Sequence, residues 1–572
     1  MAVLNGQLTQ STRGGLLDNP NLTGDHWSFA WLNQFNPRPY GNVAPFAGQA
    51  ALTTHWPVEA AGRVIDGQLV RAFVDDWYNR IHINPRQLDL GNVVSTQTTT
   101  VYVWNAYLVP RTLIDIEGDA EGVELSGQSV PPVLFMGLQE RIWQVAVTPD
   151  GQPVLDTTVS WVFDNDARAG LRITANRIVS WAFAPDWADG VLERLTWATD
   201  ILQSESGVEQ RRAIRLSPRR EFEAPILVEG RERQLLDLSL FGWGARVWAL
   251  PVWPDIQILA QAVAAGATAI PCATSGRDFH AGGLAMLRGG SALNSETVEV
   301  LSVSSTGLVL KRPTQQAWPK GVRLYPARPA QLSEMPSSER LTDRIDRLKV
   351  RFLVLESCEW PAVAPAIQYR GWPVLEERPD ETEDLTRSYQ RLLRELDSGA
   401  ALPLRTDTAN RAFSALQHRW VLAGRTEQGT FRSLLYALNG RQKAVWVPTH
   451  ADDLTLVALI TSVATTIDVG NVGYSRFAQA RPGRRDIRIE LRDGRSFHRR
   501  ITSSTELAGD VERLAIDTSL GVQVQVSQIL RISWLNLCRL DSDSIEIQHE
   551  TDSDGVALSQ VTFRSVRDEE FT

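Results

Sequence analysis

The sequence predicts a mainly β, multidomain protein. A chain of 572 residues is too long for one hydrophobic core and should divide into several domains. Apolar and polar residues alternate along many short stretches separated by glycine and proline, which is the pattern of β-strands and turns. One segment also occurs twice, at Arg212–Asp255 and again at Arg411–Asp452. We therefore expect two consecutive copies of one β-rich unit in the C-terminal part of the chain.

The composition indicates a globular protein that folds in a reducing compartment. Apolar residues make up 43% and charged residues 22% of the chain, as in ordinary globular proteins. The net charge of −9 is spread out without a block of lysine and arginine, so we expect no nucleic-acid specificity. Cys272, Cys358 and Cys538 lie far apart and favour free thiols in a cytosol. No stretch is apolar enough for a membrane helix and the first residues lack a signal-peptide pattern, so we expect no membrane segment.

Residues 1–80 are predicted to form a loop-rich arm. They are rich in Asn, Gly, Pro, Thr and Gln and follow neither a strand period nor a helix period. Such a segment becomes ordered by packing on another surface, either a neighbouring subunit or its own domain.

Two small β-sandwich modules are predicted to follow, at 81–128 and 129–190. The first contains LDLGNV (88–93) and VYVWNA (101–106), which resemble strands of small immunoglobulin-like sandwiches. The second has a turn signal at Pro149-Asp150-Gly151 between two strands. The predicted fold is thus immunoglobulin-like β-sandwiches followed by the duplicated units.

The duplicated units are predicted at 191–360 and 361–572, each a β-sandwich or barrel with an inserted β-region and one packing helix. Arg220 and Arg419 repeat with an offset of 419 − 220 = 199 residues. Arg323 and Arg531 extend the match with an offset of 531 − 323 = 208. The difference of nine residues fits loop insertions within a shared topology.

Three helices are predicted in this part of the chain. Residues 231–244 and 427–440 have apolar residues at helical spacing with glycine at the end, and they form the packing helix of each copy. Residues 379–399, between the copies, start acidic and end at Gly399, which is also typical of a helix.

The sequence contains no catalytic motif, so we predict neither an enzyme nor a cofactor or metal site. The eight histidines are scattered. Asp278 and His280 lie two residues apart, but we interpret them as part of a structural turn before a strand. The acidic pairs Asp541/Asp543 and Asp552/Asp554 lack the ligand spacing of a calcium loop, and solvated turns are the preferred interpretation.

Recurring arginine and tryptophan residues are the candidate interface or fold-defining positions. Arginine and tryptophan are enriched at interface hot spots, yet tryptophan rings in a core with a covering arginine give the same pattern, and we favour this second role. Trp253 has His450 as its counterpart, as expected for a position that faces different neighbours. These candidates are Arg246, Trp248, Trp253, Arg441 and Trp446.

The string LTWATDILQSESGVEQRRAIRLSPRREFEAPI (195–226) resembles a phrase of tail proteins from long-tailed phages. The helix followed by Gly, Arg, Trp, Pro and Asp in both copies is similar to an element of distal tail proteins. The resemblance implies a structural component of a phage tail tip or baseplate that joins the tail tube to the distal hub or fibres. It also implies a location in the virion after synthesis in the host cytoplasm, and the tail tube, tape-measure and baseplate or hub proteins as partners. The alternatives are a host-receptor or glycan-binding tail protein and an enzyme acting on cell-wall polysaccharide.

The duplication predicts a homo-oligomer. Three chains with two tube-like units each present six similar units, which matches a six-fold ring on one side and a three-fold fibre on the other. We therefore favour a trimer, with a hexamer as the alternative.

Overall fold

The structure is a computed structural model that describes residues 77–93, 96–118, 120–148, 154–400, 402–552 and 554–567. The chain divides into two compact units, Met1–Ile178 and Val179–Thr572. Strands account for 49% of the structure and helices for 8%, which confirms the predicted mainly β class. None of the helices in the described ranges has the length and apolar character needed to cross a membrane.

Unit 1 consists of two sheets around one core. Its strands are β1 (Ile81–Asn84), β2 (Gln87–Val93), β3 (Gln97–Asn105), β4 (Arg111–Glu117), β5 (Val123–Ser126), β6 (Val133–Phe135), β7 (Glu140–Val147), β8 (Val154–Phe163) and β9 (Arg168–Ser180). One sheet has the order β1-β3-β7-β5. In the other, β4 pairs with β6 and β8, β8 pairs with β9, and β2 runs parallel to β9. Trp143 and Trp161 meet edge to face in the core between them.

The two modules predicted at 81–128 and 129–190 are joined in this unit. Strand β7, from the second range, lies between β3 and β5 of the first. The strands of both ranges therefore share one apolar core, because neither range contains a complete sheet by itself. The predicted turn at 149–151 and the predicted arm up to residue 76 lie outside the described residues.

Repeat 1 occupies the first half of unit 2. Its elements are β10 (Val191–Thr196), β11 (Thr199–Gln203), β12 (Glu209–Ala213), β13 (Arg219–Glu229), α1 (Arg231–Trp243), β14 (Val247–Pro251), β15 (Gln257–Ile258), β16 (Ala269–Pro271), β17 (Leu284–Arg288), β18 (Ser295–Ser304), β19 (Gly307–Leu310), β20 (Arg323–Leu332), β21 (Ser338–Arg340) and β22 (Ile345–Val354). A 3-10 turn, Trp253–Asp255, follows β14.

Repeat 2 occupies the second half. Its elements are β23 (Gln368–Tyr369), β24 (Trp372–Pro373), β25 (Arg387–Gln390), β26 (Leu393–Leu396), β27 (Leu404–Asp407), β28 (Phe413–Ala423), α2 (Gly424–Leu438), β29 (Val445–Pro448), β30 (Thr466–Gly470), α3 (Tyr474–Phe477), β31 (Asp486–Leu491), β32 (Ser496–Leu507), β33 (Val511–Ile516), β34 (Ile529–Leu540), β35 (Ser544–His549) and β36 (Val556–Ser565). A 3-10 turn, Val526–Gln528, precedes β34.

The two repeats have the same strand pairing. In repeat 1, β13 pairs with β10 and β22, and β14 pairs with β20. In repeat 2, β28 pairs with β25 and β36, and β29 pairs with β34. The inserted β-regions also agree, because β17 pairs with β18 and β20 as β31 pairs with β32 and β34. The sequence duplication is therefore a duplication of topology.

Along β13 and β28, the structure aligns the two repeats with a different offset from the one that Arg220 and Arg419 gave in the sequence. A glycine with positive φ directly follows each of the two strands, Gly230 after β13 and Gly424 after β28, which gives an offset of 424 − 230 = 194 instead of 199. Arg220 thus corresponds to Ser414, and the match of Arg220 with Arg419 is wrong. The buried positions of the two strands coincide only at this offset, and burial outweighs the coincidence of two arginines. The offset of 208 fits the next strands, since Arg323 and Arg531 occupy equivalent ladder positions.

Two predicted helices are present and the third is absent. α1 and α2 follow β13 and β28 as expected. The segment 379–399 contains β25 and β26 instead of a helix. β25 forms a ladder with β28, β26 forms a hairpin with β27, and Gly399 has a positive φ in the loop between them. The cross-strand hydrogen bonds outweigh the local preference for a helix.

Candidate assembly interface

One continuous sheet joins the two repeats. β10, the first strand of repeat 1, pairs with β13 on one side and with β35 of repeat 2 on the other. The ladder with β35 runs from Val191 opposite His549 to Thr196 opposite Ser544. Repeat 1 thus contributes its first strand and repeat 2 contributes a late strand. Because the two surfaces differ, this is a head-to-tail contact, the kind that generates rings or filaments when it is repeated.

A buried carboxylate, Glu193 of β10, lies at the centre of this contact. Its side chain is 0% exposed. It accepts hydrogen bonds from Arg220 Nε at 2.7 Å, Arg432 Nη2 at 3.1 Å and His549 Nε2 at 2.9 Å. Arg220 belongs to repeat 1, whereas Arg432 and His549 belong to repeat 2. Glu193 therefore connects the repeats by charge as well as by its strand.

A second buried carboxylate receives helix α2 of repeat 2. Asp255, in the 3-10 turn of repeat 1, is also 0% exposed. Arg425 Nη1 donates to it at 2.5 Å and Arg432 Nη1 lies 3.4 Å from its other oxygen. Arg425 also donates to the Pro254 carbonyl. Helix α2 is thus held on repeat 1 by two arginines seven residues apart, which lie on the same face of the helix.

The third carboxylate, Asp278, completes the network inside repeat 1. It accepts hydrogen bonds from Arg328 at 2.5 and 2.9 Å and from Arg220, and its own backbone N–H donates to Asp255 at 2.9 Å. His280, its sequence neighbour, contacts Arg328 and not Asp278. Asp278 and His280 therefore do not orient each other, in agreement with the structural interpretation of this turn.

The network keeps Glu193 and Asp278 ionised in a buried setting. Burial alone would raise the pKa of Glu193, but Arg220, Arg432 and the bond from His549 outweigh it and hold this pKa well below the usual range. Burial also opposes ionisation of Asp278, yet Arg220 and Arg328 lower its pKa to about 2. Burial lowers the pKa of His549, so its imidazole is neutral at pH 7 and donates Nε2–H to Glu193. Removing any one partner would leave a buried charge uncompensated.

The hairpin β11–β12 of repeat 1 forms a second contact with repeat 2. Glu209 of this hairpin accepts bonds from Arg539 at 2.8 and 2.9 Å, and both side chains are nearly fully buried. Gly207, at the tip, has φ +87° and lies so close to the Phe413 ring that a Cβ would be only 2.3 Å from it. A glycine is required there by both conformation and space.

The candidate tryptophans lie in the cores. Trp248 is 1% exposed and packs edge to face on Trp181, with ring centroids 5.2 Å apart. Trp253 is 1% exposed beside Phe222. Trp446 is 2% exposed and donates its Nε1–H to the Tyr369 carbonyl at 2.8 Å. These three residues define the fold rather than a free surface.

The two candidate arginines have different roles. Arg246 lies over the Trp243 ring at 4.7 Å, at the end of α1. Arg441 donates to Asp543 at 2.9 and 3.0 Å and to the Thr199 carbonyl at 3.0 Å. Asp543 also accepts the Thr199 N–H, so Arg441 and Asp543 hold the base of the β11–β12 hairpin on repeat 2. Of the five candidates, only Arg441 takes part in the contact between the repeats.

In repeat 2, a cavity lies at the place that corresponds to the buried charge network of repeat 1. Ser414 and Asn536 stand where repeat 1 has Arg220 and Arg328, at the offsets of 194 and 208. Both line a cavity of about 580 Å³. Its further lining includes the apolar side chains of Val472 and Phe477, which are 65% and 81% exposed, and the cationic side chains of Arg391, Arg411, Arg481 and Arg484. The surface that α2 covers in repeat 1 is thus uncovered in repeat 2.

Sequence reasoning did not find the central residues of the interface. Glu193, Arg425 and Arg432 look like ordinary surface charges, and Glu193 lies 239 residues from Arg432. The only local signal is the repeat itself, because comparing the copies at the correct offset shows Glu193 replaced by Arg387.

The described ranges contain no group of three or more His, Cys, Asp or Glu side chains arranged to hold a metal ion. No model of a known protein family matches the chain, and no curated protein has significant sequence similarity to it.

Proposed function

We propose that the protein is a structural component of a phage tail tip or baseplate, which joins the tail tube to the distal hub or fibres. The observation that carries the proposal is the head-to-tail contact of two equivalent β-units in one sheet. A chain with this arrangement is a two-unit segment of a larger closed assembly. The resemblance of residues 195–226 to tail proteins supports the particular setting.

A trimer is the favoured assembly. Three chains supply six repeats that are equivalent in topology, while differences between the copies, such as Glu193 against Arg387, leave a three-fold pattern. The buried carboxylates of Glu193 and Asp278 are paired with arginine side chains, as in a structural network. This pairing favours assembly over catalysis as the role of this region.

Native mass spectrometry of the purified chain, together with quantitative proteomics of intact particles, tests this proposal. We expect a mass of three chains and three copies per particle, with immunogold label at one end of the tail. Six copies per tip would contradict a trimer that matches a six-fold ring on one side and a three-fold fibre on the other. Absence from purified particles would contradict the tail assignment.

A receptor- or glycan-binding role is the second candidate, and an aromatic cluster in unit 1 favours it. Trp77, His82 and Trp104 stack in series with centroids 5.8 and 5.2 Å apart, and Trp77 is 52% exposed. Sugar rings bind to such surfaces through their apolar faces. Loss of binding to host polysaccharide in W77A, with W372A as an exposed tryptophan control in unit 2, would support this role; equal binding by both variants would contradict it.

A further inference from the structure

We infer that a second copy of this chain docks head to tail through two surfaces that reproduce the internal contact. The first surface is on repeat 1 and consists of β21 and helix α1. The second is on repeat 2 and consists of β25 and the cavity beside it. This inference rests on the proposed assembly role and deepens it by naming the seam between chains.

The first argument is that β21 holds in repeat 1 the position of β35 in repeat 2. Ile547 of β35 pairs with Ser559 of β36, and Ser338 of β21 pairs with Leu348 of β22. Ser559 and Leu348 in turn face positions of β28 and β13 that correspond at the offset of 194. Ser338 is therefore the counterpart of Ile547, with an offset of 547 − 338 = 209.

The second argument is that both equivalent edges are open. β10 is largely buried between β13 and β35, whereas all four residues of its counterpart β25 are exposed. All three residues of β21 are exposed as well. Within the described ranges β25 pairs only with β28, and β21 pairs only with β22. Exposed strand edges are templates for pairing with another chain.

The register of the intermolecular ladder follows from the internal one. Glu193 lies opposite Ile547 in the β10–β35 ladder. Adding 194 to the first position gives 387, and subtracting 209 from the second gives 338. Arg387 of one copy should therefore lie opposite Ser338 of the next, in an antiparallel pair.

The third argument is that the residues corresponding to the internal ion pair of Arg425 and Asp255 are both exposed in the single chain. Arg425, the residue after Gly424, binds Asp255. Arg231 follows Gly230 in the same way, and Asp452 corresponds to Asp255, since Pro448 follows Pro251 by the same 197 residues. Asp255 is fully buried, whereas Arg231 and Asp452 are both exposed in the single chain. In the ring Arg231 of one copy would bind Asp452 of the next.

The outer face of α1 and the cavity of repeat 2 also complement each other. Leu238 and Phe241, three residues apart and so on one face, are 68% and 94% exposed. The rim of the cavity exposes Val472 and Phe477. Where α2 contacts the carboxylates of repeat 1 with arginines, α1 would contact Val472 and Phe477 of repeat 2 with apolar side chains. The cationic side chains that line the same cavity would lie beside this contact: Arg391, Arg411, Arg481 and Arg484.

A disulfide across the seam tests the register directly. A chain that carries both S338C and R387C should form disulfide-linked dimers and trimers upon mild oxidation, because opposite residues of an antiparallel pair lie within reach of a disulfide. S338C with R495C, an exposed position on a turn of the inserted region, is the control and should stay monomeric in denaturing gels.

Charge reversal tests the ion pair. D452R should raise the dissociation constant of the assembly at least about tenfold, and R231D together with D452R should restore most of it. D493R, at another exposed aspartate, should leave assembly unchanged. Circular dichroism of each variant checks the fold.

The outcomes separate the two proposals. If native mass spectrometry shows a trimer but neither the disulfide nor the charge rescue occurs, the seam proposed here is wrong while the assembly role stands. If the chain stays monomeric at all concentrations, both are wrong.

Discussion

The two repeats share one topology but differ in the side chains at equivalent positions on their sheets, which form a charge network in repeat 1 and lie at a cavity in repeat 2. In repeat 1, Glu193, Arg220 and Arg328 belong to a buried charge network that receives the other repeat. In repeat 2 the equivalent positions hold Arg387, Ser414 and Asn536, and the place is a cavity. The two copies thus have the same backbone pairing. Their side chains differ, so that repeat 1 is covered by repeat 2 within the chain, whereas the equivalent surface of repeat 2 is uncovered.

The largest expected difference between the repeats concerns the two equivalent charges. Glu193→Ala leaves Arg220 and Arg432 buried without their shared carboxylate, so we expect the free energy of unfolding to fall by about 3–5 kcal/mol. Arg387→Ala, at the exposed counterpart, should cost less than about 0.5 kcal/mol. Urea denaturation of both variants measures this. Similar losses would mean that the network contributes little.

Removing the core tryptophans should affect the repeats alike. Trp248→Ala and Trp446→Ala each remove a ring that is almost fully buried, and we expect each to cost about 3–5 kcal/mol or to prevent folding of its repeat. Thermal unfolding followed by tryptophan fluorescence gives the comparison. A mild loss for either variant would contradict the expectation that its ring is essential to the core of its repeat.

Acid should weaken repeat 2 first. Burial lowers the pKa of His418 and of His450 to about 3, whereas unfolded histidine titrates near 6.5. Each histidine therefore contributes stability that is complete above pH 6.5 and is lost as the pH falls toward 3, because the unfolded chain takes up the proton first. The slope is at most about 1.4 kcal/mol per pH unit for each histidine.

Repeat 1 has Ala224 and Trp253 at the corresponding positions and should lack this dependence between pH 6.5 and 5. Hydrogen exchange with mass spectrometry at pH 7.5 and 5.0 should show faster exchange in β28 and β29 than in β13 and β14 at the lower pH. H418A should reduce the slope even if it lowers the absolute stability. Equal acceleration in both repeats would contradict the expectation.

The smallest expected difference between the repeats is at the glycines that follow β13 and β28. Gly230 and Gly424 have φ +58° and +78°, and a Cβ at either position would meet nothing within 4 Å. Alanine at each should therefore cost only the backbone strain, roughly 1–2 kcal/mol, and by the same amount in both repeats. Denaturant midpoints of the two variants test this; a clear inequality would mean that the two strand-to-helix turns differ.

The sequence predicted the parts of the fold that depend on periodicity. The strands, the helices α1 and α2 and the duplication itself follow from local patterns of apolar residues, and those predictions are confirmed. The helix predicted at 379–399 is wrong, because leucine, glutamate and arginine favour a helix locally while β28 offers β25 a ladder that only the fold reveals. Local propensity does not include a partner that is distant in sequence.

The site could not be predicted for the same reason. Nothing near Arg432 in the sequence distinguishes it from an exposed arginine of a helix, and its burial depends on Glu193 and Asp255 in the other repeat. Arg441 was singled out because its neighbourhood recurs, and it does contact the hairpin of repeat 1. The offset of 194 could be found only from the ends of β13 and β28 in the structure. Matching the sequences gave an offset of 199, which is five residues too large.

The contact between β10 and β35 is formed within one chain and does not depend on concentration. Its effective concentration is set by the connection between the repeats and lies far above that of separate subunits in a cell. A ring of six units built from three such chains requires three contacts between chains where six single-unit chains require six. Fusion of the two units would thus halve the contacts between chains that complete the ring and fix the alternation of its units during synthesis.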